Sequence, residues 1–125
     1  MSNALSNLKK YFDLYDGNQR DLEECMPVIE ETFDESLIIV KADGSEHTYS
    51  QWLKDIEGIF VAGGFTVEMV SMTEVPGGIL YHPKIHFPTG KVVELRSLGI
   101  VKDGKIVRVE PQENAEAYNE LLKSQ

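Results

Sequence analysis

Two histidines, His82 and His86, stand four residues apart in a stretch that also carries Glu94 and Arg96. On a helix that spacing would bring both imidazoles to one metal ion. Here Pro83 interrupts a run that alternates like a strand, and four strand residues span roughly 13 Å. One zinc cannot bridge that gap, so no metal is expected. What stays open is a polar cluster in which His82 or His86 acts as a general base and Arg96 orients an anionic group. The competing reading is two half-exposed histidines beside Glu94 and Arg96 with no chemical task.

Asp43 is a third candidate proton carrier, although an Asp-Gly pair at 43–44 is also what a tight turn demands. Cys25, the one cysteine, sits beside Glu23 and Glu24. Those charges oppose a thiolate, so a packed small side chain is expected rather than a nucleophile. The sequence contains no phosphate loop, nucleophile elbow, dinucleotide fingerprint or cysteine zinc motif. No cofactor is expected.

The elements that must hold these residues fall into two parts. From Phe65 to Glu110 the chain alternates with period two, broken at Pro76-Gly77-Gly78, Pro88-Thr89-Gly90 and Lys102-Asp103-Gly104. Four antiparallel strands joined by short hairpins follow. Before them come helical patterns. Leu5, Leu8, Phe12 and Tyr15 share one helical face, which Asp16-Gly17-Asn18 ends. Leu22, Cys25 and Met26 continue a helical pattern, with Pro27 opening a further short helix. Leu37-Ile38-Ile39-Val40 reads as a short strand. Thr48 or Ser50 then caps a helix whose stripe is Tyr49, Trp52, Leu53, Ile56 and Phe60. Gly58 inside it suggests close approach of another element. Asn114 to Lys123 reads as a terminal helix that folds back over the sheet. This order is α+β rather than the alternation of a parallel sheet.

Turn lengths group the strand side chains. A three-residue loop at Pro88-Thr89-Gly90 sets Lys84 opposite Glu94 and His82 opposite Arg96. A two-residue turn at Asp103-Gly104 sets Val101 opposite Ile106. One face then carries Ile79, Tyr81, Ile85, Phe87, Val93, Leu95, Ser97, Val101, Ile106 and Arg108, nearly all apolar and suited to packing under helices. The other carries Leu80, His82, Lys84, His86, Val92, Glu94, Arg96, Leu98, Ile100, Val107 and Val109. Pro83 cannot donate to a ladder, so a bulge there could swap the faces beyond it.

Composition bounds the rest. A chain of 125 residues, 42% hydrophobic and 26% charged, suits one globular domain over residues 1–125. Its net charge of −9 repels nucleic-acid backbone, and Lys9-Lys10 is the one adjacent basic pair. The acidic run over residues 21–35 reads as a solvated helical face. No apolar run reaches the roughly 20 residues needed to span a bilayer, and the first residues lack the apolar core of a secretory signal. A cytoplasmic protein with neither nucleic-acid nor membrane partners is expected.

The segments LKKYFDLYDGNQRDLEECMPVIEETFDESLIIV, DGSEHTYSQWLKDI and VKDGKIVRVE together resemble the nuclear transport factor 2-like superfamily, which includes the SnoaL-like polyketide cyclases and ketosteroid isomerase. The resemblance spans nearly the whole chain and implies a cone-shaped, curved antiparallel sheet wrapped around the N-terminal helices. It also implies a pocket between sheet and helices, and often a homodimer. An isomerase base would fall near Val40-Lys41-Ala42, where no carboxylate stands, and the first-helix tyrosine of that enzyme would be Tyr11 or Tyr15.

The function expected is that of a small-molecule-binding protein of the SnoaL-like group, holding an apolar or amphipathic organic ligand. Tyr15, Trp52 and Tyr81 are expected to line its pocket as flat surfaces with polar tips, with Arg96 at the mouth. Two alternatives stand beside it. One is a cofactor-free isomerase, cyclase or dehydratase using His82, His86 or Asp43. The other is a dimerising interaction module whose pocket is filled. A homodimer through the second sheet face is expected because its apolar residues need covering.

Overall fold

The computed structural model describes residues 3–112. In chain order it contains α1 (Asn3–Asp13), α2 (Leu22–Thr32), β1 (Phe33–Val40), β2 (Glu46–Thr48), α3 (Tyr49–Ala62), β3 (Thr66–Val75), β4 (Gly78–His86), β5 (Val92–Glu94), β6 (Ser97–Lys102) and β7 (Lys105–Pro111). The expected helix from Asn114 to Lys123 lies outside the described residues. No helix among the described residues is long and apolar enough to cross a membrane.

Local chemistry starts each helix. Glu24 accepts the Asp21 N–H at 2.9 Å, which ties down the first turn of α2. Thr48 accepts the Gln51 N–H, and Gln51 accepts the Thr48 N–H in return, so Thr48 rather than Ser50 caps α3. Pro27 does not open a separate helix. It lies inside a continuous α2, in its second turn, where the helix forgoes one backbone bond. Gly17, at φ +89°, turns the chain after α1 so that its N–H donates to Phe65 and its carbonyl accepts from Gly64.

The strands form one curved, unclosed sheet in the order β2-β1-β7-β6-β4-β3, with β5 beside β4. It is mixed rather than wholly antiparallel, because β1 runs parallel to β7, with Phe33 opposite Ile106 and Ile39 opposite Val109. Every other pairing is antiparallel. Lys84 does face Glu94 and Val101 does face Ile106, as the turn lengths dictate. The expected third strand is divided into β5 and β6 by a break at Leu95 and Arg96.

Bulges decide which way several side chains point. Opposite Pro83 the extra residue is Val70 on β3, since Met69 pairs with Pro83 and Ser71 with His82. The irregularity therefore falls on the partner strand, and β4 keeps its alternation past Pro83. A second bulge lies at Val107, because Ile100 pairs with Arg108 while Val101 pairs with Ile106. It reverses the expected facing of the β7 end. Val109 turns inward and is buried, while Arg108 turns outward to Glu46 at 3.2 Å and Glu110 at 3.3 Å.

The core lies between the concave side of the sheet and the helices. Ala4, Leu8 and Tyr11 from α1, Cys25 and Ile29 from α2, and Ile56 and Phe60 from α3 pack against Phe33, Leu37, Ile79, Tyr81, Ile106 and Val109. Cys25 is fully buried, and burial, with the Glu24 charge second, pushes its thiol pKa up. It packs rather than reacts.

Gly58 is exposed on α3 and a Cβ there would meet nothing within 4 Å, so no neighbouring element requires it. Alanine at this position loses less chain entropy on folding. Gly58→Ala should stabilise the protein by about 0.5–1 kcal/mol. Thermal unfolding checks this: a midpoint unchanged or lowered would show that Gly58 has a packing role.

Candidate functional site

A cavity of about 540 Å³ opens between the helices and the concave sheet. Aromatic and aliphatic side chains dominate its walls. Tyr11, Phe12 and Tyr15 come from α1 and the turn after it, Trp52, Ile56 and Ile59 from α3, Phe33 and Ile39 from β1, Tyr81 and Ile85 from β4, and Val109 from β7. The rings brace one another. Tyr11 meets Phe33 edge-on at 5.0 Å, Phe33 lies 4.6 Å from Trp52, Tyr15 lies 4.8 Å from Phe60, and Phe12 lies 5.7 Å from Tyr81. The first pair is edge-to-face and the other three are tilted, contacts that favour particular ring orientations. The wall is therefore a rigid surface rather than a set of loose side chains.

The Tyr11 and Tyr15 hydroxyls are hydrogen-bonded to each other. Burial, reinforced by the neighbouring Tyr15 phenol, raises the pKa of Tyr11 well above the ordinary tyrosine range. Burial raises Tyr15 too, against the opposing effect of the Tyr11 hydrogen bond. Both phenols stay neutral at any physiological pH, so this part of the cavity offers hydroxyl groups but no charge.

Charge is confined to four residues on the wall: Lys41, Asp55, Glu94 and Arg96. Asp55 Oδ2 lies 3.2 Å from His47 Nδ1 and 4.0 Å from Lys41 Nζ. Glu94 Oε1 lies 2.9 Å from His82 Nε2. Glu94, Leu95 and Arg96 are consecutive, yet all three contribute to the wall. A regular strand would send alternate residues to opposite faces. The pairing register is the same on both sides of the gap between β5 and β6, which falls opposite Pro83, the residue that cannot donate its ladder bond, so backbone as well as side-chain atoms of this stretch border the cavity.

The sequence candidates divide. Tyr15, Trp52, Tyr81 and Arg96 all lie on the cavity wall. His82, His86 and Asp43 do not. His82 is buried beside Glu94, and His86 sits 3.5 Å from Glu68 at the half-buried end of β4. The exposed Asp43 side chain accepts from the hydroxyl and N–H of Ser45, two bonds that lower its pKa and fit its turn. Among the described residues no group of three or more His, Cys, Asp and Glu side chains could hold a metal ion.

Sequence reading missed the Asp55–His47 pair. A signal for Asp55 exists: it follows Trp52 by three residues and precedes Ile56, on the flank of the stripe that faces the cavity. His47 carries no such signal, because its partner is reached only through the β1–β2 hairpin that sets Ile39 opposite it.

No protein-family model matches the sequence, and no curated protein matches it either. Solved structures do match in shape. A protein from Sinorhizobium meliloti, provisionally described as a polyketide cyclase, is 24% identical with a TM-score of 0.62, over 86% of this chain and 94% of that one. A protein from Jannaschia sp., provisionally described as a SnoaL-like polyketide cyclase, is 14% identical with a TM-score of 0.64, over 98% of this chain and 92% of that one. A de novo designed protein of the nuclear transport factor 2 (NTF2) fold is 13% identical with a TM-score of 0.61, over 94% of this chain and 92% of that one. At such identities the likeness concerns architecture, and a designed member shows that the architecture can exist without an inherited activity. The chain has the nuclear transport factor 2-like fold that the SnoaL-like proteins share.

Proposed function

We propose that this protein binds a small apolar or amphipathic organic molecule in the cavity between its sheet and its helices. One observation carries the reading: about 540 Å³ of space enclosed mainly by braced aromatic rings, with polar groups few and grouped. Sites for small molecules have this size and this balance of lining. The described side chains do not fill the space, which weighs against an interaction module with a filled pocket. Tyr15, Trp52 and Tyr81 are the contact surfaces in this reading. The provisional descriptions of its structural neighbours as cyclases lend it support. Cys25, buried as a free thiol, suits a reducing cytoplasmic setting.

A second reading, cofactor-free acid–base chemistry, is favoured by Asp55. Its carboxylate is the one on the wall backed by both an imidazole and an ammonium group, an arrangement that can accept a substrate proton and pass it on. It takes over the role that His82, His86 and Asp43 would have had.

We further propose a homodimer through the outer face of the sheet. Leu98 and Ile100 on β6 are half-buried there, and Val92, opposite His86, is 48% exposed. Covering such residues is the usual reason for a sheet face to pair.

Native mass spectrometry of the protein as purified should reveal a retained small molecule, or, after incubation with a library of apolar compounds, a bound one. Trp52→Ala and Tyr81→Ala should each weaken its binding by roughly tenfold or more. Binding that neither change affects would move the site elsewhere. If a bound compound is turned over, Asp55→Asn should stop turnover with affinity retained, and full activity in that variant would end the acid–base reading. Light scattering should give twice the chain mass, and Ile100→Glu should reduce it to the monomer. A wild-type monomer at micromolar concentration would remove the dimer.

A further inference from the structure

Ser97 is 7% exposed and is a buried polar residue on the inner face of the sheet. Register sets it opposite Tyr81 on β4 and opposite Pro111 on β7, and all three residues border the cavity. Its neighbours along the same face of its own strand are Leu95 and Gly99. Of these four, only Tyr81 carries a polar side-chain group. The Tyr81 ring leans toward Gly99, with its Cε1 3.4 Å from where a Cβ would stand there.

The Ser97 side chain has no hydrogen bond with any described residue. Among the described residues, no polar side-chain atom is both sealed from open space and without a partner. The Ser97 hydroxyl, lacking a partner, therefore touches open space. For a buried residue on the inner face and on the cavity wall, that space is the cavity. A hydroxyl withdrawn from bulk water with no protein partner carries a desolvation cost that a hydrogen-bonding ligand offsets.

Taking the ligand-binding reading above as its basis, we propose that Ser97 is the polar anchor of the cavity. The ligand carries an uncharged oxygen, as a ketone or a hydroxyl group, that hydrogen-bonds this side chain while its apolar skeleton lies against the rings. A ketone needs one donor, an alcohol needs a donor or an acceptor, and a serine hydroxyl supplies either.

The surroundings select against a charged group. In this register Glu94 and Arg96 stand with His82 on the opposite face from Ser97. Lys41 and Asp55, the other charged residues of the wall, are turned to each other, with Nζ and Oδ2 4.0 Å apart. A carboxylate at Ser97 would gain one hydroxyl among apolar neighbours and meet no unbalanced cation. Its lost hydration would stay largely uncompensated.

The test compares decalone, decalol, the decalincarboxylate anion and methylenedecalin, in which a methylene group replaces the ketone oxygen. Trp52 is the only tryptophan in the chain and borders the cavity, so its fluorescence reports occupancy, with calorimetry as a second readout. Ser97→Ala should weaken the ketone or the alcohol about fivefold and leave the methylene isostere unchanged. Whichever of the two loses more identifies the oxygen. The carboxylate should bind the wild-type protein most weakly of the four. In the ligand-free protein the same variant should keep or raise the unfolding midpoint, because the hydroxyl has no bond to lose. A fall of several degrees would make Ser97 a structural residue and end the proposal. Equal effects of Ser97→Ala on the ketone, the alcohol and the isostere, or tightest binding by the carboxylate, overturn the anchor and leave the cavity reading standing. If no probe perturbs Trp52 or releases heat, both fall together.

Discussion

The parallel pairing of β1 with β7 is the constraint on which the rest of the architecture depends. β1 follows α2 without a gap, and β7 closes the meander that begins at β3. Joining them fastens the helical half of the chain to the far end of the sheet, with Phe33 set opposite Ile106 and both buried. The helices can then lie only across the concave side, because β1 anchors one end of them and the Gly17–Phe65 contact anchors the other. Parallel pairs between distant segments are costly in loop entropy. The cost is offset by burying Leu37, Ile106 and Val109 where the two halves meet.

A curved sheet closed over helices leaves a hollow unless side chains fill it, and here the residues that approach the hollow are rings. Rings braced against one another do not collapse as flexible aliphatic chains would, so the volume between Trp52, Tyr15 and Tyr81 persists. The bulges at Val70 and Val107 add to the bend and help to keep the sheet from flattening onto the helices. Rigidity of the wall and emptiness of the centre thus have one cause. The same rings that complete the core on their outer edges present their remaining surface to the cavity.

Much of this was legible in the sequence, and what was not has specific causes. Hairpin registers could be read because an Asp-Gly turn or a three-residue loop links residues that are neighbours in the chain, as with Val101 and Ile106 or Lys84 and Glu94. The β1–β7 pairing could not, since nothing local to Phe33 or Ile106 names its partner, and an antiparallel sheet was the natural expectation. Arg108 was misplaced for a smaller reason: one extra residue at Val107 inverts all that follows, and no glycine marks it. Within the site, Tyr15, Trp52 and Tyr81 were legible as large rings on apolar stripes. Arg96 borders the cavity from a stretch where Pro83 leaves the ladder one bond short, and that proline was visible in the sequence. Asp55 and His47 meet only once a hairpin and a helix have been placed side by side.

That distribution of errors follows from range. Apolar patterning reports which side chains leave water, and so it locates the walls of a cavity. Polar chemistry depends on which two groups come within about 3 Å, and at that scale a single bulge or strand break changes the answer. The present site shows the difference within one strand pair. Turn geometry sets His82 opposite Arg96, yet the imidazole bonds Glu94, its diagonal neighbour, at 2.9 Å. Pro83 leaves one ladder bond unmade between them, while the pairings on either side stay in one register. Pairing thus names which residues are neighbours, and side-chain reach decides which of those neighbours meet.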